Sequence, residues 1–583
     1  MDDVERKVTV NTKAFFSYTK SLRKTNSVPS QVYYCLESAA DPDSVCNLFA
    51  RYFASVFKCS DYRDFIVDQL TPDFRISDVT VTEVKVILDK LDEFKVSSPD
   101  NVPSIFYKRL SSVISLPLSI LFNKSLREGV YPSAWKISNV TPVYKSGKKS
   151  DVCNYRPISI LSAASKVFER IIFNKVYNHV RDFITPAQHG FVTGKSTLTN
   201  LLEFATQITD SILNGGQLDV IFTDFSKAFD HVPHGLLLLK IQNFGIKSNM
   251  LRWFRSYLSG RTQVVTIGGG RSNGFTPSSG VPQGSILGPL MFLLFINDLP
   301  DVFSSTCSLF ADDNKLFRKI ENAADGVCLQ SDISSFSMWC VDNELSLNPK
   351  KCSVLSITNK PQPIDYNYYI DDNTIDKKPS KLDLCVKFNT KHSFNDHFNE
   401  VTKKCYQLIG FLFRSTQHFK RPESLIKLYY AYVRSRLEYC STVWNPYYDK
   451  YKEQLEKVQR KFTRMLYYKF KWPKQDYSTR LIRLKMKSLE TRRLELDEMV
   501  LYKLVHGKID ASLSRRLCTY EPPRFTRQSV HHLFYVATPV SNVQLNSPVH
   551  RMQNSHNVYF KELDIFNLPF NRFKRAVKSV YRF

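Results

Sequence analysis

The chain has 583 residues, of which 43% are hydrophobic and 23% are charged, so it can bury several cores and should form more than one domain. Its net charge of +26 is uneven, because residues 401–583 contain 36 Lys and Arg against 14 Asp and Glu. That part alone carries about +22, which leaves about +4 for the first 400 residues. The basic end is a candidate surface for a polyanion, although excess charge also serves solubility alone.

Two further observations exclude classes of protein. The twelve cysteines show no C-x2-C pair and no Cys/His spacing that would close a zinc site, and no secretory segment opens the chain. We therefore expect reduced thiols in an intracellular protein. The most apolar stretch, residues 289–296, is far shorter than the about 20 residues that a membrane span needs, so we expect no membrane partner.

In chain order, the patterns divide the sequence into four parts. Residues 1–95 alternate helical patterns with polar breaks, which predicts a helical N-terminal extension. Over residues 96–400, frequent Gly and Pro and alternating strand and helix patterns predict an α+β core. After residue 400 the apolar spacing is near 3.6 residues, which predicts amphipathic helices over 401–500 and a basic C-terminal extension over 501–583.

Three aspartates stand out from these patterns. Asp312 and Asp313 are adjacent in the tetrapeptide 310–313, which predicts a tight hairpin, and Asp224 ends a strand predicted over 218–224. Carboxylates this close repel each other unless cations lie between them, and Mg²⁺ is the natural cation for oxygen ligands. An Asp at the end of a strand and an Asp pair on a hairpin are the parts of a two-metal phosphoryl-transfer site.

Several further motifs accompany the aspartates in a fixed order along the chain. They are residues 154–159 (NYRPIS), 189–191 (HGF), 222–224 with 228–230 (FTD and AFD), 280–289 (GVPQGSILGP), 310–313 (FADD), 347–351 (LNPKK) and 437–446 (LEYCSTVWNP). In this order they resemble the reverse transcriptases of non-LTR retrotransposons, and most of all the jockey-type elements of animals.

The resemblance implies an architecture and an activity. It implies a right-hand polymerase with fingers and an antiparallel-sheet palm over residues 96–400 and a helical thumb over 401–500. The activity would be that of an RNA-directed DNA polymerase, a nucleotidyltransferase that copies retrotransposon RNA into DNA. Its partners would be an RNA template, a DNA primer and deoxynucleoside triphosphates, and we expect a ribonucleoprotein in the nucleus and cytoplasm.

The resemblance also assigns the chemistry of the acidic site. Asp224 and Asp312 would each bridge two Mg²⁺ ions, one activating the primer 3′-hydroxyl and the other neutralising the triphosphate. Asp313 would be a secondary metal ligand. Lys351 matches the position of a lysine that protonates the departing pyrophosphate, and Lys350 beside it is the alternative.

Four residues match positions that bind the incoming nucleotide. Arg156 would clamp the triphosphate with its planar guanidinium, and Lys145 is a second candidate. Phe229 would leave no room for a 2′-hydroxyl and so would select deoxynucleotides, with core packing as the alternative. Gln283 would contact the nucleotide or the template, and a Gly/Pro-rich turn without a binding role is the alternative.

A predicted helix over residues 453–468 places Lys457, Lys461 and Arg464 on one face, opposite an apolar face. Such a stripe fits the backbone of a duplex, and a solvated charged face is the alternative. One departure from the family pattern is Cys385, which stands where these enzymes usually have Gly. We recognise no endonuclease domain, zinc knuckle or acidic cluster typical of RNase H.

Two other functions share the features of this sequence. A domesticated or catalytically inactive RNA-binding remnant would keep the fold without the reaction, and the intact Asp224, Asp312 and Asp313 argue against it. A DNA-templated polymerase or an RNA-templated RNA polymerase has a similar palm, so the sequence leaves the choice of template and nucleotide to the family resemblance.

Overall fold

The computed structural model describes residues 2–23, 28–58, 72–94, 99–509, 511–514, 516–517, 519 and 533–580. Its strands are β1 (Val32–Tyr34), β2 (Glu37–Ala39), β3 (Ile137–Tyr144), β4 (Tyr155–Ile160), β5 (Gln217–Asp224), β6 (Thr262–Ile267), β7 (Gly270–Arg271), β8 (Thr306–Phe310), β9 (Asp313–Ile320), β10 (Ser353–Thr358), β11 (Tyr369–Ile370), β12 (Asn373–Thr374), β13 (Ser380–Asp383) and β14 (Val386–Asn389).

Helices flank these strands and then fill the C-terminal part. The first set is α1 (Asp2–Val10), α2 (Ala14–Arg23), α3 (Pro42–Val56), α4 (Val81–Asp89), α5 (Ser104–Arg109), α6 (Ser111–Glu128), α7 (Ala163–Val180), α8 (Thr197–Leu213), α9 (Ala228–His231), α10 (His234–Asn243), α11 (Ser248–Leu258), α12 (Leu287–Phe295) and α13 (Ala323–Asp342). The second set is α14 (Asn395–Ser415), α15 (Pro422–Tyr429), α16 (Ser435–Glu438), α17 (Ser441–Trp444), α18 (Asp449–Lys469), α19 (Tyr477–Leu484), α20 (Leu489–Val505), α21 (Ala511–Ser514), α22 (Asn542–Leu545), α23 (Pro548–Ser555) and α24 (Phe570–Val580). No helix in the described ranges is long and apolar enough to cross a bilayer. The mixture of sheets and helices is the predicted α+β class.

A four-stranded antiparallel sheet lies at the centre, with strand order β10-β5-β9-β8. The alternation of side chains along β5 explains its place: Val220 and Phe222 enter one apolar core, and Ile221 enters another on the opposite face. Because both faces are covered, every residue of β5 before Asp224 is buried, including the polar Gln217 and Asp219. This burial fixes the position of Asp224 at the end of the strand.

A second sheet, with strand order β4-β3-β6-β7, lies beside the acidic site. β3 pairs antiparallel with β4, and Val143 faces Arg156 in that register. Lys145 directly follows β3, and its backbone N–H donates to the carbonyl of Asn154 at 2.8 Å. This sheet therefore carries both cations that the sequence predicts for the triphosphate.

The predicted domain boundaries differ from the helices of the structure. The boundary at 400/401 falls inside α14, and the boundary at 500/501 falls inside α20. One apolar core contains Val220 of the central sheet, Leu455 of α18 and Phe573 of α24. Residues on both sides of each predicted boundary are therefore buried in the same core, and the spacing of apolar residues does not mark the boundary. The boundary at 95/96 lies outside the described residues.

The N-terminal segment is only partly helical, which corrects the prediction for residues 1–95. It also contains the hairpin β1–β2, whose three-residue strands are too short to show an alternating pattern. The segment is tied to the C-terminal helices, because the buried carboxylate of Glu5 accepts the backbone N–H groups of Lys420 and Arg421 at 2.8 Å each.

Candidate active site

The Asp pair lies at the turn between β8 and β9. Phe310 pairs with Asp313, so Ala311 and Asp312 form the two-residue loop of the hairpin. Ala311 has φ +57°, the left-handed region that the first central residue of a type II′ turn requires. A non-glycine residue in this conformation stores backbone strain, which is typical of functional sites.

Asp224 and Asp313 lie side by side on neighbouring strands, because β5 and β9 pair in a register that places these two residues opposite each other. Opposing residues of an antiparallel pair point to the same face of the sheet. Both residues line a cleft of 350 Å³ between the central sheet and the β13–β14 hairpin. The Asp224 side chain is 33% exposed, so its carboxylate is open to this cleft.

Charges around the turn affect the pKa values of its carboxyl groups. Burial raises the pKa of Asp312, the negative charge of Asp224 raises it further, and the cations Arg156 and Lys145 oppose the rise. Desolvation also raises the pKa of Asp313, followed by the charges of Asp312, Asp383 and Asp224. The acidic residues of the turn are thus close enough to repel each other, and cationic side chains of the protein lie near them.

Lys351 reaches this acidic group directly. Its ammonium Nζ lies 2.8 Å from Asp224 Oδ2, and the backbone N–H of Asn348 donates to the Asp224 carbonyl at 2.8 Å. The 347–351 segment is thereby fastened to the end of β5, with the Lys350 side chain exposed to solvent. Of the two candidate lysines, Lys351 forms the contact with Asp224, and its role as an acid stays a prediction.

The donor atoms at this site suit a hard divalent cation. Within the described ranges, no group of three or more His, Cys, Asp or Glu side chains is arranged so that it could hold a metal ion by itself. Mg²⁺ is usually held by one or two carboxylates together with substrate phosphates and water. Asp224, Asp312 and Asp313 offer only carboxylate oxygens and repel one another, so they fit such an ion.

The predicted triphosphate ligands belong to the same electrostatic cluster. Desolvation lowers the pKa of Lys145, and the positive charges of Arg156 and Lys351 lower it further, whereas Asp224 and Asp312 oppose the fall. Arg156 is exposed on β4. The structure therefore brings these three cations around the carboxylates, although the sequence separates Lys145 from Lys351 by about 200 residues.

Two other predicted nucleotide contacts are engaged within the protein. Gln283 Nε2 donates to Asp230 Oδ1 at 2.7 Å, and burial raises the pKa of Asp230 to about 6. The ring of Phe229 stacks on Phe292 with centroids 4.3 Å apart and remains partly exposed. Packing thus accounts for one face of Phe229, and the nucleotide roles of Phe229 and Gln283 stay predictions.

The predicted cationic stripe lies on α18, away from the residues that line the cleft. Lys457, Lys461 and Arg464 are exposed, whereas the residues of the opposite face, such as Leu455 and Phe462, are buried. The helix extends over Asp449–Lys469, slightly longer than the predicted 453–468. The geometry matches the predicted amphipathic helix and leaves its ligand as a prediction.

Two residues that support the Asp turn had no assigned role in the sequence analysis. Gln188 Oε1 accepts the N–H of Ala311 at 2.9 Å and that of Gly190 at 2.8 Å. Gly190 packs so closely that a Cβ there would lie 2.4 Å from the Ala311 nitrogen. The 189–191 motif was the available signal, but only the fold shows that it supports the turn.

A buried ion pair on the floor of the cleft was also missed. Lys315, two residues after Asp313 on β9, pairs with Asp383 on β13, and its ammonium lies 4.5 Å from the Phe204 ring centroid. The Lys315 side chain is only 3% exposed. Charged residues are almost never buried unless they are paired, so this pair fixes the β13–β14 hairpin against β9.

Cys385, which stands where the family pattern has Gly, lies in the turn of that hairpin. Asp383 pairs with Val386, so Leu384 and Cys385 form a two-residue loop with φ values of +41° and +68°. Both values are positive, as a type I′ turn requires. Tyr439 Oη donates to the Leu384 carbonyl at 3.0 Å, which holds the strained turn against the C-terminal helices.

Replacing Cys385 by Gly should stabilise the protein by about 1 kcal/mol, because glycine adopts positive φ without a steric penalty. A higher urea midpoint, measured by circular dichroism, would show this. The matched control is Cys153→Gly, since Cys153 is also exposed but is not among the positive-φ residues, and that change should lower the midpoint. An unchanged or lower midpoint for Cys385→Gly would contradict the strain.

Comparison with known proteins decides the family of this site. Residues 147–413, which contain the three aspartates, Arg156 and Lys351 but not Lys145, match the family model described as "Reverse transcriptase (RNA-dependent DNA polymerase)". The site therefore lies mainly in a stretch that is similar to reverse transcriptases. The reverse transcriptase domain thus includes β4 to β14 and most of α14.

Relatives of the reverse transcriptase domain come from mobile elements. The chain is 27% identical over 395 residues to "Probable RNA-directed DNA polymerase from transposon BS" of Drosophila melanogaster, which covers 64% of this chain and 43% of that protein. It is 29% identical over 336 residues to "RNA-directed DNA polymerase from mobile element jockey" of the same species, covering 55% of this chain and 35% of that one. The predicted resemblance to jockey-type elements is confirmed. The chain spans less than half the length of these relatives.

Among solved structures, a telomerase from Candida albicans in complex with a TWJ fragment of telomeric RNA aligns with 67% of this chain and 66% of its own. The TM-score is 0.33 and the sequence identity is 14%.

Proposed function

We propose that the chain is an RNA-directed DNA polymerase that extends a DNA primer on an RNA template with deoxynucleoside triphosphates. The observation that carries this proposal is the pairing of Asp224 with Asp313 beside Asp312, in an open cleft within a reverse transcriptase domain. Relatives that are named RNA-directed DNA polymerases support the choice of template and product.

The proposed architecture is that of a right hand. The central sheet β10-β5-β9-β8 would be the palm, and the sheet β4-β3-β6-β7 with its helices would be the fingers. The helices from α14 to α20 would be the thumb, with the α18 cations along the duplex. In this arrangement the cleft would receive the primer end between the palm and the β13–β14 hairpin.

The proposed chemistry divides the residues by role. Asp224, Asp312 and Asp313 would hold two Mg²⁺ ions, which would favour the deprotonated primer 3′-hydroxyl and offset phosphate charge. Arg156 and Lys145 would bind and orient the triphosphate. Lys351 would leave Asp224 when substrate arrives and then hold a proton beside the pyrophosphate leaving group. Asp230 would position Gln283 through their 2.7 Å hydrogen bond.

Primer extension by the purified protein tests the proposal. We expect incorporation of deoxynucleotides on an RNA template, dependent on a divalent cation and weaker with ribonucleotides. Binding of RNA without incorporation under any metal condition would instead support an inactive remnant. Equal incorporation of ribonucleotides would favour an RNA polymerase.

Replacing Phe229 by Ala should raise ribonucleotide use relative to deoxynucleotide use by about 10- to 100-fold, because one group excluded by a pocket is worth about 1–3 kcal/mol. The ratio of the two kcat/KM values measures this effect. Phe292→Leu is the control, since it loosens the stack on Phe229 without emptying the space beside the sugar. If both variants lose deoxynucleotide activity and keep the parental ratio, Phe229 is only a packing residue.

A further inference from the structure

The helix α24 (Phe570–Val580) has one strongly cationic face. Four of its eleven residues are Lys or Arg and none is acidic. The four are exposed: Arg572, Lys574, Arg575 and Lys578. Within the described part of the chain, none of the four forms an ion pair with an acidic residue. Surface cations are commonly balanced by nearby carboxylates, so this face holds uncompensated positive charge.

The opposite face of α24 is already used by the fold. Phe573 and Val577 are fully buried, and the Phe573 ring packs against Tyr502 of α20 with centroids 4.6 Å apart. A basic amphipathic helix that binds a membrane or a protein groove does so through its apolar face. Because that face is inside the protein, only the charges remain available to a ligand.

Neighbouring elements fasten the end of the helix without supplying an acid to its exposed cations. Lys487 Nζ donates to the carbonyl of Lys578 at 2.6 Å. The acid close to this group, Glu495, is buried and already paired with Lys487 and with Arg492. Burial lowers the pKa of Lys578, and the charges of Lys574 and Arg492 lower it further, as expected where cations crowd together.

We propose that the exposed face of α24 is a nucleic-acid site that binds a phosphate backbone, separate from the cations of α18. The ligand class rests on the proposed function. From residue 572 to residue 578 the helix rises about 9 Å, the length of two to three phosphate steps along one strand. Contacts from Lys and Arg to phosphates position a strand without reading its sequence, so we expect little sequence preference at this site.

The test uses the full chain with Arg572, Lys574, Arg575 and Lys578 all changed to Gln, which leaves Phe573 and Val577 in place. Fluorescence anisotropy at several salt concentrations measures affinity for single-stranded RNA, an RNA–DNA hybrid and double-stranded DNA. We expect affinity to fall at least 10-fold and the slope of log K against log salt to become shallower by about 2. Loss confined to single-stranded RNA would identify the RNA strand as the ligand, and loss on all three would identify any phosphate backbone.

A matched control removes four exposed cations elsewhere, at Lys90, Arg109, Lys124 and Arg127, again to Gln. Equal loss of slope in both variants would overturn the proposal, because it would show only a general effect of net charge. A third variant replaces each Lys of the four α24 positions by Arg and each Arg by Lys, and it should bind as the parent does. Such a result would show that the Gln variant loses affinity because charge is lost and not because the helix is misfolded. Primer extension on a short template should be kept by the α24 variant. If the parent lacks extension but its binding depends on α24, the polymerase proposal fails and this site stands.

Discussion

Changing Asp312 to Asn should lower deoxynucleotide incorporation by about 10³-fold, which corresponds to about 4 kcal/mol of transition-state stabilisation. Asn keeps the shape of the side chain but removes the charge that a metal ion needs. The residue lies in the two-residue turn of β8–β9, where Asp224 and the cations Arg156 and Lys145 act on its charge. Single-turnover primer extension with saturating primer–template measures the effect.

The neighbouring Asp313→Asn variant separates a metal ligand from a structural carboxylate. Asp313 lies nearer the Lys315–Asp383 pair, as the effects of both charges on its pKa indicate, so we expect a smaller loss of about 10- to 100-fold. RNA affinity should be unchanged in both variants, because neither carboxylate attracts phosphate. An Asp312→Asn protein with more than a tenth of parental activity would contradict the metal role of Asp312.

The second large effect is expected for Gly190→Ala. The added Cβ would lie 2.4 Å from the Ala311 nitrogen and 3.0 Å from the Phe310 carbonyl carbon, so the backbone of the Asp turn must shift. A displacement of about 1 Å in a catalytic group costs about 10²-fold in rate. We therefore expect kcat to fall by about 10²-fold, measured by the same primer-extension assay, with little change in RNA affinity.

The control for this variant is Gly410→Ala in α14. A Cβ at Gly410 would meet the flexible guanidinium of Arg414 at 3.1 Å rather than backbone, and Ala is the better helix former by about 1 kcal/mol. That variant should keep full activity and melt at the parental temperature or higher. Full activity of Gly190→Ala would mean that the turn is held by other contacts than the one with residue 190.

Two contacts between residues far apart in sequence hold the β13–β14 hairpin at the edge of the cleft. The Lys315–Asp383 ion pair joins β9 to the β13–β14 hairpin, and Tyr439 joins the same hairpin to the C-terminal helices. Removing one partner of a buried pair leaves an unpaired charge, which is costly. The hairpin is therefore held from two sides while its turn carries two residues with positive φ.

The sequence by itself determined the local elements of this protein and the identity of its acidic residues. The apolar run before Asp224 predicts the strand β5, and the 3.6-residue spacing predicts α18, because these periodicities reflect which faces are buried. The ordered motifs around Asp312 and Asp313 led to the reverse transcriptase family.

Only the tertiary structure decided how those elements meet. The support of Ala311 by Gln188, the contact between Lys351 and Asp224 and the burial of Glu5 by the C-terminal helices all join residues far apart in sequence. The predicted boundaries at 400/401 and 500/501 fall inside α14 and α20, and one continuous apolar core crosses them. Local patterns record whether a side chain is buried, but not which distant side chain it is buried against.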